Sequence, residues 1–390
     1  MPHSSNPAGH AQLTADASPH RTARMPAAVV AQYRFGAHLA PTLFSNPVIQ
    51  RIVVMQAYEL SAFGFEGLKI VERPQPTAGP FQVVLKMRAF SLNYRDLMIV
   101  KGHYNPKLKM PAQPLSDGMG EVVEVGPGVT RVKVGDRVTA CFMPKWIAGE
   151  IDEAKARSAL GGGGPEGMLA EYVAIHEEGL VHVPAHLSDE EAASLPCAAV
   201  TAWHALVGEG SLKAGDTVLT LGTGGVSIFA LQFAHLCGAR TIITSSSEEK
   251  LARAKKLGAS DGINYKTTAK WEDAARELTG GRGVDYVIEV GGAGTLTQSM
   301  KAVRPGGQVS LIGVLSGGAG QINPLPILMR NIRVQGIFVG SREMFEAMNR
   351  AITLAKLKPV VDRVFPFQDA VAAYQYMESG AHFGKVGIRV

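Results

Sequence analysis

The feature that most constrains the fold is a change of rhythm near Asp216. From there, apolar β-branched runs alternate with helix-length segments: DTVLTLG, VSIFALQFAHL, RTIITSS, EEKLARAKKLG, DGINY, VDYVIEVG, GQVSLIG and RVQGIFVG. Strand and helix signals at that spacing predict βαβ units and therefore a parallel, doubly wound α/β sheet.

The region from Met55 to about Ile175 reads differently. Short β-branched runs broken by turns, FQVVLKMRAF, GEVVEVG, RVKVGDRVTA and LAEYVAI, predict a small β-barrel-like domain, with GGGGPEG (161–167) as a flexible loop between two strands. A chain of 390 residues is too long for one ordinary core, so two domains are expected. The tail after Gly340 holds a helix and ends in the strand-like KVGIRV, which is placed to rejoin the first domain.

Residues 1–54 are rich in Ala, Pro, His and Arg and lack periodicity until MQAYEL at Met55. Two readings stay open: a transit peptide, or a disordered extension or over-early start that is not part of the core. This stretch also bears on the net charge of +5, because Arg21, Arg24, Arg34 and Arg51 face one acid, Asp16. The body that remains has 35 basic against 33 acidic residues, which gives no electrostatic footprint for nucleic acid. No apolar run reaches the ~18–20 residues of a membrane helix, and 46% hydrophobic residues with 44 glycines fit a soluble α/β enzyme. Three cysteines, Cys141, Cys197 and Cys237, are odd in number and far apart, which suits a reducing compartment and a cytoplasmic location.

LTLGTGGVSIFALQF (219–233) sets Gly222, Thr223, Gly224, Gly225 and Val226 between a strand and a helix. Glycines there allow a tight turn and a close approach of backbone to a pyrophosphate at the helix N-terminus. Ser227 stands where a third glycine is usual. At the end of the second strand an NAD site usually carries an acid; here stand Ser245, Ser246 and Ser247, followed by Lys250. Hydroxyls and an ammonium suit a 2′-phosphate, so NADP(H) is the expected cofactor. Ser245-x-x-Glu248 and Ser246-x-x-Glu249 also read as capping boxes, in which case those residues merely start a helix.

GPGVTRVKVGDRV, LPCAAVTAWHAL and LGTGGVS, in this order, resemble the medium-chain dehydrogenases/reductases over residues 55–390. The resemblance implies a GroES-like β-barrel catalytic domain, 55–178 with 342–390, a Rossmann domain, 179–341, and a cleft between them. Members with catalytic zinc bind it through a cysteine, a histidine–glutamate pair and a second cysteine; here those positions fall on Asn93, Ser116, Asp117 and Cys197. One thiolate is no tetrahedral zinc site, and the lobe that would hold structural zinc contains Cys141 alone, so no metal is expected. A metal site of another kind would have to draw on His103, Asp96 and Asp117.

The resemblance then narrows to the zinc-free quinone oxidoreductase-like and enoyl reductase-like branch, whose Asn-x-x-Asp followed by Tyr matches Asn93, Asp96 and Tyr104. It implies reduction of quinones or α,β-unsaturated carbonyl compounds, with Tyr104 donating to the developing enolate and Asn93 donating to substrate or ribose. Beside Ser246 and Lys250, read above from the residues themselves, it further implies cofactor contacts at Thr201, Tyr265, Gly340, Ser341 and Lys385, and a homodimer joined through RVQGIFVG. The alternatives are a zinc-type alcohol dehydrogenase with an altered site and a non-catalytic, crystallin-like NADPH-binding protein.

Overall fold

The computed structural model describes residues 53–390, so all but the last two residues of the expected extension lie outside the described residues. The described chain begins with an antiparallel pair, β1 (Val54–Leu60) and β2 (Leu68–Pro74). The long strand β3 (Gln82–Leu92) follows; in QVVLKMRAFSL only Lys86 and Arg88 are exposed, and the strand is wholly buried from Ala89 onward. Asn93 ends the strand and caps α1 (Tyr94–Val100), so the polar cluster of SLNYRD begins where strand backbone turns into helix.

Around β3 a seven-stranded sheet curls into the barrel. β4 (Asp117–Val125) pairs with β3 and with β5 (Arg137–Ala140); beyond the short α2 (Glu153–Ala156), β6 (Tyr172–His176) pairs with β3, and β7 (Leu180–His182) with β5. The chain then crosses through α3 (Asp189–Ala193) and a run of wide helical turns around α4 (Val200–Trp203).

The doubly wound sheet follows as β8 (Thr217–Thr220), α5 (Gly225–Leu236), β9 (Arg240–Ser245), α6 (Glu248–Lys256), β10 (Asp261–Asn264), α7 (Trp271–Glu277), β11 (Val284–Glu289), α8 (Leu296–Ala302), β12 (Val303–Leu311), α9 (Leu325–Met329) and β13 (Arg333–Gly336). All six strands run parallel in the order β10-β9-β8-β11-β12-β13, so the order reverses beside β8, where such sheets bind ligands. The sequence places a strand over all of RVQGIFVG, but β13 stops at Gly336. Val339 has a φ of 57° and its carbonyl accepts from His204 Nδ1 at 2.7 Å, which turns the backbone away from the sheet.

The tail supplies α10 (Arg342–Ala355), β14 (Val361–Pro366), α11 (Ala370–Glu378) and β15 (Lys385–Arg389). β15 pairs antiparallel with β3 and parallel with β14, so the strand-like C-terminus does return to the barrel. Two cores result. One fills the barrel around Phe90, Leu85, Phe367 and Tyr374; the other runs from Ala89 and Met119 through Ala198 and Ala202 to Phe229 and Phe233, joining barrel to nucleotide sheet. Each large side chain so buried contributes roughly 1.5–3 kcal/mol, which fixes the two sheets against each other.

Candidate active site

The turn after β8 has the form an anion needs. Gly222 has a φ of 72°, a left-handed value that a side chain would strain, and a Cβ at Gly222 or Gly224 would meet no atom within 4 Å, so open space faces the loop. Gly224 caps α5 with no side-chain acceptor, leaving first-turn N–H groups and the helix dipole directed at that space. Ser227, where a glycine was usual, is buried and donates its hydroxyl to Leu221 O at 2.6 Å, tying helix to strand. Val226 is half-buried in the first turn of α5. These features fit a dinucleotide pyrophosphate.

At the end of β9 the caps differ from both sequence alternatives. Ser247 is the N-cap of α6, its hydroxyl accepting from Lys250 N, so neither expected capping box forms. Ser245 accepts on its hydroxyl from Ser247 N, and its carbonyl accepts from Tyr265 N at 3.0 Å; Tyr265 itself is exposed. Ser246 is half-buried between strand and helix. The Lys250 ammonium donates to Gly380 O at 2.7 Å and to His382 O at 2.9 Å, and burial lowers its pKa. It is thus held against the loop before β15.

That loop joins the two sheets. Gly384 N donates to Thr223 O at 2.9 Å, and Gly384 forms a bridge with Gly224, setting β15 directly on the phosphate loop. A Cβ on Gly225 would come within 2.7 Å of Lys385 Cδ, so the lysine stem crosses where only glycine leaves room.

The Lys385 ammonium, 3% exposed, ends in the turn at Asn93: it donates to Leu92 O at 2.7 Å and to Asn93 Oδ1 at 2.5 Å, and lies 3.9 Å from Asp117 Oδ2. Asp117 is fully buried; its oxygens accept from Ser116 Oγ at 2.9 Å and Cys197 N at 3.2 Å. Burial pushes its pKa up, and Lys385, then the Asn93 amide, pull it back. Asp96, also fully buried, accepts from Asn93 N at 2.8 Å; burial raises its carboxyl to about 6 against the pull of Arg95. Asn93 Nδ2 lies on the Asp117 side of the turn but closes no hydrogen bond with any described residue.

Thr201 is buried and donates to Cys197 O at 2.6 Å; burial drives the Cys197 thiol far above its ordinary pKa. Gly340 packs against Val200, where a Cβ would come within 2.7 Å, and Ser341 caps α10. Tyr104 stands apart from this cluster. Its ring is 39% exposed and lies 4.8 Å from the Arg95 guanidinium, which also covers Phe142 and donates to Leu160 O. The structure thus brings Asn93, Asp96, Asp117, Thr201, Lys385 and the phosphate loop together, and links Tyr104 to them through Arg95. Arg95 escaped sequence reasoning because an arginine beside an aspartate on a short helix looks like surface charge.

Residues 79–185 match the model of the alcohol dehydrogenase GroES-like domain and residues 225–353 that of the zinc-binding dehydrogenases. A zinc-type alcohol dehydrogenase-like protein of Schizosaccharomyces pombe is 46% identical over 84% of this chain and 96% of its own. The chain belongs to the medium-chain dehydrogenase/reductase family. The family's acryloyl-coenzyme A reductase of Metallosphaera sedula is 30% identical over 83% of this chain and 96% of its own. The crystal structure of an NAD-dependent alcohol dehydrogenase superposes with a TM-score of 0.79 at 36% identity, covering 86% of this chain and 100% of the other. Membership makes the chain an oxidoreductase with a nicotinamide cofactor.

The zinc named in that family does not fit the donors here. Among the described residues no three His, Cys, Asp or Glu side chains are grouped to hold a metal ion; His103 is exposed, away from buried Asp96 and Asp117. The Asn93 oxygen already receives an ammonium, which would repel a divalent cation.

Proposed function

We propose that the chain is a zinc-independent, NADPH-dependent reductase of quinones or α,β-unsaturated carbonyl compounds. The observation that carries this reading is the buried turn at Asn93, where an amide and an ammonium stand in place of a thiolate–imidazole set. Such groups cannot act as a Lewis acid toward an alcohol, but an amide N–H can stabilise charge on a carbonyl oxygen. When bound, the cofactor supplies a hydride. The protein must then meet the negative charge that develops as an enolate or phenolate: Asn93 Nδ2 donates to that oxygen, and the exposed phenol of Tyr104 donates a proton from the solvent side.

NADPH is favoured over NADH because the end of β9 presents Ser246 and carries no acid on the strand itself, Glu248 and Glu249 standing in the first turn of α6. Thr201, Gly340 and Ser341 line the nicotinamide end, and Tyr265 the 2′-phosphate end, in the same reading. Two copies join through the β13 edge, beside which Leu325, Leu328 and Met329 of α9 are exposed. The three cysteines are free, which accords with work in a reducing compartment such as the cytoplasm.

The test is loss of nicotinamide absorbance with chelator-treated protein, NADPH, and a panel of quinones, enals, enones and enoyl thioesters. Turnover that survives chelation supports the reading and ranks the substrates. Stoichiometric zinc with alcohol oxidation would replace it by the zinc-type alcohol dehydrogenase. NADPH binding with silence across the panel would replace it by the non-catalytic protein.

A further inference from the structure

We infer that Lys385 is a positioning residue for the reaction: its ammonium fixes which way the Asn93 amide faces, and so makes Asn93 a donor to the substrate oxygen. The inference rests on the reductase reading above and goes one step beyond it.

An asparagine amide has two ends of opposite character, an oxygen that accepts and a nitrogen that donates. An ammonium only donates. With Lys385 Nζ 2.5 Å from Asn93, the end that faces it must be the oxygen, because the reverse arrangement would oppose donor to donor. The nitrogen is thereby turned to the other side of the turn. There it is buried facing the Asp117 carboxylate, whose charge it favours, but it closes no hydrogen bond with any described residue, and a buried donor short of a partner is costly. A carbonyl oxygen brought there would supply the missing acceptor.

The rest of the environment holds this choice in place. Asn93 N is fixed by Asp96, so the residue cannot swing out with the backbone. Both Asp117 oxygens are engaged by Ser116 and Cys197 N, while the charge of Asp117 keeps the ammonium in the pocket at 3.9 Å. Leu92 O takes a second ammonium hydrogen. The lysine stem passes over Gly225, so the same side chain that orients the amide also touches the phosphate loop.

The experiment is a double-mutant cycle between Lys385→Met and Asn93→Ala, with kcat on the best acceptor and NADPH affinity measured separately. Lys385→Met should lower kcat by about tenfold to a hundredfold, the scale of a misplaced or lost oxyanion donor, while the NADPH dissociation constant changes by no more than about threefold. In the Asn93→Ala background, Lys385→Met should lower kcat no further, which a merely structural role would not produce. Lys385→Arg, which keeps the cation, should recover part of the loss, and it carries the cycle if Lys385→Met does not fold. Fully additive losses, or a loss confined to NADPH binding, would overturn the inference, the latter making Lys385 a cofactor ligand. Silence of the unmodified protein on every acceptor would instead remove the reductase reading.

Discussion

A carboxyl with no exposed surface, such as that of Asp96, is easier to bury protonated than ionised. Its folded pKa of about 6 lies above the ordinary 3.8 because burial outweighs the attraction of Arg95. The proton is therefore bound more tightly in the folded chain. The stability this contributes is complete below the unfolded value and is lost as the pH rises through about 6. Asp96→Asn keeps an oxygen for Asn93 N and removes the titration. Denaturant unfolding of both proteins should show the wild type losing about 3 kcal/mol relative to the variant between about pH 4 and pH 7. Stability curves that stay parallel across that range would show that Asp96 does not titrate in its burial site. The sequence marked Asn93 and Asp96 by their spacing. It could not show that Lys385, 292 positions away, turns its ammonium onto the same turn, because only the return of β15 to β3 brings them together.

At the scale of elements, strand–helix alternation was readable because helices on a parallel sheet repeat a strong local pattern. The local errors have local causes. Both expected capping boxes gave way to Ser247, one residue further on, since β9 continues through Ser245. RVQGIFVG lost its second half to a turn that His204, on another element, holds in place. What survives is the end of β9, with a half-buried serine and no acid on the strand. Ser246→Asp places a carboxylate there. The ratio of kcat/KM for NADPH over NADH should then fall by about tenfold or more, as each 1.4 kcal/mol of lost discrimination is one factor of ten. An unchanged ratio in steady-state kinetics would mean that the 2′ position is read elsewhere.

For the whole molecule, the candidate site is assembled at β3, β4, the Cys197 turn, the phosphate loop and β15. The surface offers a place for a second copy elsewhere, at the edge of the nucleotide sheet. Among the described residues the six-stranded sheet ends at β13 with no strand on its outer edge, and in α9, just before it in the chain, Leu325, Leu328 and Met329 are 57%, 71% and 77% exposed. Open edges flanked by apolar side chains favour association, and a two-fold pairing of β13 with its copy would cover both at once. These two facts separate assembly from activity. Leu328→Asp combined with Met329→Asp sets charges on that surface without touching β3, β15 or the phosphate loop. Light scattering should give the mass of a dimer for the wild type and of a monomer for the variant, with turnover per chain retained. A wild type that is already monomeric, or a variant that stays dimeric, would remove the β13 edge as the interface. A monomer that has lost turnover would show that the site depends on its partner after all.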